Sequence, residues 1–222
     1  TEGGLAKFDK TTQQKIFYNK GNSFLPSNYI TSIALDSNGY KWLCTYKGLV
    51  KFKDEEWVVF NKENSGLPNS PLLFVTIDNE GTKWIGTRDS GLVMYDDENW
   101  IVYNQQNSSL NSNTILTLKV DNDIIWIGTY QGLYKRENNE FKIVSVVGNR
   151  SIRCIDKDIH QNIWLGTASG LFKLVGNDNL TMFTSDIITS LRIDNHNVKW
   201  FGTGVNYYPY VAGMRNLDSA ET

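Results

Sequence analysis

The sequence has no run of basic residues, no long apolar run and few prolines. With 22 Lys and Arg against 24 Asp and Glu, the net charge is −2, which argues against a nucleic-acid or anionic-membrane surface. No stretch approaches the roughly 20 apolar residues that a membrane span requires. Only 4 prolines accompany 18 glycines, and 13% of the residues are aromatic, a composition that suits an all-β protein.

Five tryptophans recur at intervals of 36–42 residues within one repeated motif. In each copy an Asp ends an apolar segment, the tryptophan follows five or six residues later, and Gly-Thr and then Gly-Leu come next in most copies. A period of about 40 residues with several short strands per copy is typical of a β-propeller. The tryptophans are Trp42, Trp84, Trp126, Trp164 and Trp200.

Turn residues divide each copy into four strands, A to D, and the two ends of the chain look like parts of one copy. Residues 1–20 resemble strands C and D, whereas residues 187–204 resemble strands A and B and are followed by an unrelated tail, 205–222. We therefore predict an all-β, single-domain propeller over 1–204, most simply with five blades, one of them split between the termini. A fragment of a larger propeller is the alternative.

The two cysteines lie on predicted strands of non-adjacent blades. Cys44 stands where the other copies have glycine, and Cys154 lies on a strand A. Because a disulfide needs Cα atoms about 4.4–6.8 Å apart, we expect two free, buried thiols.

The second copy resembles the two-component regulator propeller repeat in Asp78, Gly81, Trp84-Ile85-Gly86-Thr87 and Gly91-Leu92. The segments at Leu25-Pro26, Leu67-Pro68 and Leu110-Asn111 also look like the way that family enters strand A. The resemblance covers roughly residues 1–204. It departs from the family pattern at Cys44, at the A–B turn glycines of the third to fifth copies, and after Thr203.

This resemblance implies an extracytoplasmic ligand-sensing module, periplasmic or extracellular in a bacterium, of the kind found in hybrid sensor kinases that respond to glycan fragments. The chain starts at Thr1 and has no signal peptide of its own, so we expect that a leader was removed. A weaker similarity to seven-bladed streptogramin lyases leaves an enzymatic alternative open.

Residues suited to catalysis or metal binding are scarce. His160 and His196 fall in predicted A–B turns, and the acidic turns lack the distal ligands of a calcium loop. No nucleophile motif or phosphate-binding loop occurs. We therefore expect no catalytic residue, no metal and no cofactor, although a pair of carboxylates distant in sequence leaves a glycoside hydrolase open.

The residues that differ between copies are the candidates for function, because the B–C and D–A loops of a propeller gather on one face. Tyrosine rings stack on sugar faces, and amide and guanidinium groups bond hydroxyls or carboxylates. We expect a small-molecule or glycan ligand there, with a protein–protein scaffold using Trp57 and Trp100 as the alternative, and neither nucleic acid nor membrane insertion. The predicted ligand residues are Tyr46, Lys47, Arg88, Asp89, Tyr130, Gln131, Asn28, Asn69, Asn113 and Arg150.

Overall fold

Each repeat forms an antiparallel meander in which neighbouring strands in sequence are neighbours in the sheet. The computed structural model describes residues 3–204 and, as backbone, residues 212–216. A short 3-10 helix covers Ser145–Val147. The strands are β1 Leu5–Phe8, β2 Lys15–Tyr18, β3 Ile30–Leu35, β4 Lys41–Thr45, β5 Gly48–Lys53, β6 Glu56–Phe60, β7 Leu72–Ile77, β8 Lys83–Thr87, β9 Leu92–Tyr95, β10 Trp100–Tyr103, β11 Ile115–Asp121, β12 Ile124–Thr129, β13 Gly132–Glu137, β14 Glu140–Ile143, β15 Ile152–Lys157, β16 Ile163–Thr167, β17 Gly170–Val175, β18 Asn179–Thr184, β19 Ile187–Ile193, β20 Lys199–Gly204 and β21 Ala212–Asn216.

The chain divides into two compact units, Thr1–Asn104 and Gln105–Thr222. The first unit holds the two-stranded sheet β1–β2 and the four-stranded sheets β3–β6 and β7–β10. The second holds the four-stranded sheets β11–β14 and β15–β18 and the three-stranded sheet β19–β21. The all-β class and the A-to-D strand order predicted from the repeat are therefore confirmed.

Each of the five described strands A contains a β-bulge near its start, opposite the end of strand B that carries the Gly-Thr pair. The register shifts between Ile30 and Ser32 in β3 and between Leu72 and Phe74 in β7, and the same break recurs in β11, β15 and β19. A bulge adds one residue to one strand and increases the local twist. No sequence pattern predicts this feature, because the extra residue is not of one type across the copies.

The aspartate at the end of strand A holds the tryptophan of strand B. In the fourth copy Trp164 Nε1 donates to Asp158 Oδ2 at 2.9 Å, while Asp158 Oδ1 accepts the backbone N–H groups of His160 and Asn162 at 3.0 and 2.8 Å. One carboxylate therefore closes the A–B turn and fixes the indole. The first, second and fifth copies repeat the indole bond at 3.0, 2.8 and 2.9 Å.

The third copy departs from this arrangement because its turn is one residue shorter. Trp126 Nε1 is buried and has no hydrogen-bond partner among the described residues. Asp121 instead accepts from the ammonium group of Lys157 on the next sheet. The same fold position thus carries an indole bond in four copies and an ion pair between sheets in the third.

Buried tryptophan and glycine let neighbouring sheets approach closely. Trp42 is fully buried and packs with Leu72 and Ile85 of the following sheet. At Gly128 of strand B, an added Cβ would lie 2.9 Å from Ile152 Cγ2 of the next sheet, closer than carbon atoms can approach. The glycine of the Trp-Ile-Gly-Thr motif is therefore a packing requirement in that copy.

The strand beside β20 differs from the prediction. β20 pairs with β21, with Trp200 opposite Asn216. β1 pairs with β2, with Leu5 opposite Tyr18. A segment of the predicted tail, rather than residues 1–20, therefore occupies this edge. An open strand edge pairs with an available extended segment, and a segment close in sequence loses less loop-closure entropy than one about 200 residues away.

The rest of the predicted tail, within 205–222, lies outside the described residues. Trp200 is 40% exposed, whereas the other four repeat tryptophans are buried.

The two cysteines are free thiols, as predicted. Cys44 is completely buried at the position of the repeat glycine, and Cys154 is half-buried. Burial raises the pKa of Cys154 to about 12 and that of Cys44 well above its ordinary value, which favours the protonated thiol at neutral pH.

Trp164→Phe and Trp126→Phe test the indole–carboxylate bond at two equally buried positions. Both changes remove the same atoms, but only Trp164→Phe breaks a hydrogen bond to a carboxylate. We expect Trp164→Phe to lower the free energy of unfolding by about 2 kcal/mol more than Trp126→Phe. Urea denaturation measures the difference, and equal losses would show that the bond adds nothing beyond ring burial.

Acid should destabilise the fold through the same aspartates. Burial alone would raise the pKa of Asp158, but the Trp164 indole N–H, the Asn162 side chain and two backbone N–H groups hold it below its ordinary value of 3.8. The hydrogen bond from Trp200 likewise lowers the pKa of Asp194. Because the folded-state pKa lies below the unfolded one, this contribution is complete above about pH 4 and is lost as the pH falls through the folded value.

We expect Asp158→Asn to reduce stability at pH 7 and to flatten the loss of stability below pH 4. Thermal unfolding between pH 2.5 and 7 measures both effects. Asp178→Asn, at an exposed aspartate in the β17–β18 turn, is the control and should leave the profile unchanged. A parallel downward shift of the Asp158→Asn curve at every pH would contradict the titration of this carboxylate.

Candidate functional site

Buried threonines shape the B–C loops that carry most of the predicted ligand residues. Thr45 Oγ1 donates to the Gly48 carbonyl at 2.8 Å and accepts the Lys47 N–H at 3.1 Å. Thr87 and Thr129 make the same two kinds of contact in their own loops. The threonine of the Gly-Thr pair therefore closes the turn, and the residues immediately after it are left at the surface.

The D–A loops have a second repeated structure that the sequence analysis did not identify. Asn61 Oδ1 accepts the Glu63 N–H at 2.8 Å, and Asn64 Oδ1 accepts the Asn61 N–H at 2.8 Å. Asn19 and Asn22 make the equivalent bonds at 2.7 Å each. The signal was present as Asn-x-x-Asn-Ser at 19–23, 61–65 and 104–108. The two central residues of each motif are free to vary.

Tyr46 contacts two other side chains of the first unit, Tyr29 and Arg88. Its ring stacks on that of Tyr29, with centroids 5.2 Å apart and planes 8° from parallel. Arg88 Nη2 donates to the Tyr46 hydroxyl at 3.1 Å, and the Arg88 Cζ lies 5.0 Å from the Tyr46 ring centroid. Tyr29 is 45% exposed, so this pair presents aromatic surface to solvent.

A cleft of about 310 Å³ adjoins this tyrosine pair. Tyr46 and Lys47 of the B–C loop lie on one side, and Asn61 to Glu63 of the Asn-x-x-Asn-Ser motif on the other. Its size and its mixed polar and apolar lining suit a small ligand. The lining residues are Tyr46, Lys47, Gly48, Asn61, Lys62, Glu63, Leu67, Pro68, Asn69, Ser70, Pro71 and Leu72.

Five of the predicted ligand residues come together around this cleft. Tyr46, Lys47 and Asn69 line it directly. Arg88 is held beside it by its backbone N–H, which donates to the Pro71 carbonyl at 3.0 Å. The Asp89 N–H donates to Ser70 Oγ at 3.3 Å.

Asn28 has a structural contact instead. Its Oδ1 accepts the Lys20 N–H at 2.8 Å, which ties together the ends of the D–A loop. Tyr29, the next residue, supplies the aromatic surface that the sequence analysis missed.

The predicted residues of the second unit divide into exposed and structural groups. Tyr130 is 60% exposed and Gln131 is exposed, so both are accessible. Asn113 Oδ1 accepts the Gln105 N–H at 2.9 Å, the counterpart of the Asn28 contact. Arg150 donates to the Val147 carbonyl and lies 4.7 Å over the Phe172 ring, so its guanidinium group holds the loop.

The aromatics proposed for a protein scaffold are engaged within their own sheets. Trp57 stacks on Phe52 with centroids 4.0 Å apart, and Trp100 stacks on Tyr95 with centroids 3.9 Å apart. Both tryptophans are only half-exposed. Trp57 also lies 5.4 Å from Tyr18 of β2, and Trp100 lies 5.6 Å from Phe60 of β6, centroid to centroid, so both rings pack against the preceding sheet rather than standing free.

The histidines lie in A–B turns, as predicted. The backbone N–H of His160 donates to Asp158 Oδ1 at 3.0 Å, and that of His196 donates to Asp194 Oδ1 at 2.9 Å. In the β15–β18 sheet this turn is at the opposite end of β16 from the B–C loop. Within the described residues, no group of three or more His, Cys, Asp or Glu side chains is placed to bind a metal. No described helix is long and apolar enough to span a membrane.

Comparison with known proteins gives the fold. The chain is similar to the extracellular domain assigned to a hybrid two-component system of B. thetaiotaomicron, with a TM-score of 0.78 and 19% identity over 96% of this chain. It is also similar to PorZ, a surface component of the type-IX secretion system of Porphyromonas gingivalis, with a TM-score of 0.69 and 17% identity over 90% of this chain. Virginiamycin B lyase of Staphylococcus aureus matches with a TM-score of 0.71 and 11% identity over 96% of this chain.

These structural likenesses confirm a β-propeller-like fold. They do not establish an activity, because the sequence identities are only 11–19%. The chain spans 30% of the length of the B. thetaiotaomicron domain, 35% of PorZ and 77% of the lyase. No protein-family model and no curated protein sequence matches the chain.

Replacing the loop-closing threonine should loosen the surface beside the cleft. Thr45→Val keeps the side-chain shape but removes both hydrogen bonds of a fully buried hydroxyl, at a cost of about 1–3 kcal/mol. We expect faster hydrogen exchange at the Lys47 amide, measured by NMR. Thr181→Val, at an exposed position on β18, is the control. Unchanged exchange at Lys47 would show that the loop is held by other contacts.

Proposed function

We propose that the chain is a non-enzymatic recognition module of an extracytoplasmic sensor, and that it binds an oligosaccharide or a similar small ligand at its B–C and D–A loops. Three observations support a sensor role: the resemblance of the repeat to the two-component regulator propeller family, the propeller-like fold, and the likeness to extracellular domains assigned to two-component systems. On the same grounds we propose membership of that family and a periplasmic or extracellular location.

The exposed Tyr29–Tyr46 stack beside a polar cleft is the observation that carries the ligand proposal. A stacked pair buries one face of each ring and leaves a flat apolar edge and an outer face at the surface. The apolar face of a pyranose packs on such a surface, while its hydroxyl groups can bond the Asn61 and Asn69 amides and the Lys47 ammonium group that line the cleft. Flat apolar contact next to several hydrogen-bonding groups matches the chemistry of a saccharide.

We also propose an arrangement of the repeats from their strand count. Five pairs of A and B strands favour five blades in one propeller domain over residues 1–204, and four complete four-stranded sheets support this organisation. The exposed Tyr130 and Gln131 keep their proposed ligand role on the B–C loop of the third repeat. For Asn28, Asn113 and Arg150 the observed contacts favour support of the loops.

Tyr46→Ala and Tyr29→Ala should each weaken ligand binding at least tenfold while leaving the fold intact. Each change removes aromatic contact area, and the loss of roughly 1.4 kcal/mol corresponds to a factor of ten in affinity. A glycan microarray identifies the saccharides bound by the unmodified chain, and isothermal titration calorimetry with the strongest of them measures the variants.

Phe17→Ala is the matched control, because Phe17 is an aromatic residue of the same unit that is 63% exposed on β2, away from the cleft lining. It should leave the affinity unchanged. Circular dichroism and the thermal midpoint verify that each variant is folded. A chain that binds no saccharide and no small ligand in a thermal-shift screen, or whose binding survives both tyrosine changes, would overturn the proposal.

A further inference from the structure

Arg88 is held in a fixed position beside the cleft. Its backbone N–H donates to the Pro71 carbonyl at 3.0 Å, and its guanidinium group donates to the Tyr46 hydroxyl at 3.1 Å. The guanidinium carbon lies 5.0 Å from the Tyr46 ring centroid, within the range of a cation–π contact. Because the side chain is half-buried and restrained by two kinds of contact, little conformational entropy remains to be lost when a ligand binds it.

No carboxylate neutralises this guanidinium group among the described residues. Within the part of the chain that the structure describes, no carboxylate oxygen lies within 4.0 Å of the Arg88 guanidinium nitrogens. The adjacent acid, Asp89, accepts a hydrogen bond from Ser90 Oγ at 3.0 Å. By contrast, the buried Lys83 of the same unit pairs with Asp97 at 2.6 Å. Arg88 is therefore a positioned positive charge without an anionic partner.

The neighbouring loops add further positive charge to this surface. Lys47 lines the cleft and is exposed. Lys62 also lines it, and its contact with Glu63 is 3.8 Å long and solvent-exposed, a geometry that contributes little to stability. Glu63 is the one acidic side chain of the lining against two lysines. With Arg88 and Asp89 included, three positive side chains face two carboxylates around the cleft, so its net charge is positive and favours an anion.

We propose that the ligand is an acidic saccharide whose carboxylate binds Arg88 while its sugar ring packs on the Tyr29–Tyr46 pair. This inference rests on the proposed function and adds the chemical class of the ligand. A guanidinium group presents two parallel N–H donors that match the two oxygens of a carboxylate. Tyr46 accepts a hydrogen bond from Arg88 and stacks on Tyr29, so it positions both side chains, while the exposed ring of Tyr29 offers the open face for the sugar.

Paired oligouronates and their carboxyl-reduced counterparts test the assignment. Tetramers of galacturonate, mannuronate and guluronate, each compared with its reduced form, differ only in carboxylate against hydroxymethyl. We expect at least one acidic member to bind ten times or more tightly than its reduced form by titration calorimetry. Its affinity should fall between 50 and 500 mM NaCl, whereas that of the reduced form should not.

Arg88→Gln should bring the ratio of the affinities for the acidic and reduced forms close to one, and this ratio is the readout because the same change can also alter binding of the reduced form through Tyr46. Arg88→Lys should keep part of the preference, because it keeps the charge but not the two-donor geometry. Lys10→Gln removes the same unit of charge at an exposed turn of the same unit and should have no effect.

Equal affinity for acidic and reduced saccharides, with both still dependent on Tyr46, would overturn the carboxylate assignment and leave the proposed function intact. Preference for a sulfated saccharide over every oligouronate would also overturn it. Absence of binding by all these saccharides would count against both proposals. An acidic preference that persists in Arg88→Gln would show that Arg88 is not its source.

Discussion

In four of the five repeats one carboxylate makes three hydrogen bonds, and the sheets depend on them. Asp158 accepts two backbone N–H groups of the A–B turn and the indole N–H of Trp164. The first bonds set the turn that aligns strand A with strand B, and the third orients a large ring toward the neighbouring sheet. Where the turn is one residue shorter, at Trp126, the indole bond is missing and an ion pair between Asp121 and Lys157 joins the sheets instead. The A–B turn set by the aspartate is therefore the primary constraint on each sheet, and burial of the tryptophan ring is the second.

The A–B turn and the packing of the tryptophan are both determined at one end of strand B. The residues of the B–C loop at the other end can therefore vary. Within a sheet, the A–B turn and the B–C loop lie at opposite ends of the same five- or six-residue strand. The buried threonine that closes the B–C loop uses only its hydroxyl and the main chain. The residues after it need no particular side chain for folding. This separation explains how one repeat can carry Tyr46 where another carries Arg88 and a third carries Tyr130.

The repeat predicted the strands and their order because its chemistry is the same in every copy. The positions of Tyr46, Lys47 and Arg88 on exposed loops followed from the same reasoning. The bulge in strand A was not predictable, because it depends on backbone register and no residue type marks it. Tyr29 was missed because the D–A contribution was assigned to the preceding residue, Asn28, whose amide looked like a ligand contact but supports its own loop. The pairing of β20 with β21 was not anticipated, because the tail does not resemble a repeat strand and residues 1–20 were assigned to that edge.

The two arginines predicted as ligand residues have different roles. One supports its own loop, and the other is proposed to bind the ligand. The Arg150 guanidinium donates to the carbonyl of Val147 and covers Phe172, so its donors and its face are used within the loop. Arg88 gives one hydrogen bond to a tyrosine hydroxyl, a neutral acceptor, and keeps its charge uncompensated by any described carboxylate. A half-buried charge without a counter-ion costs desolvation energy that folding alone does not recover. An anionic ligand would recover that energy, so of these two arginines Arg88 is the one whose charge is available for binding.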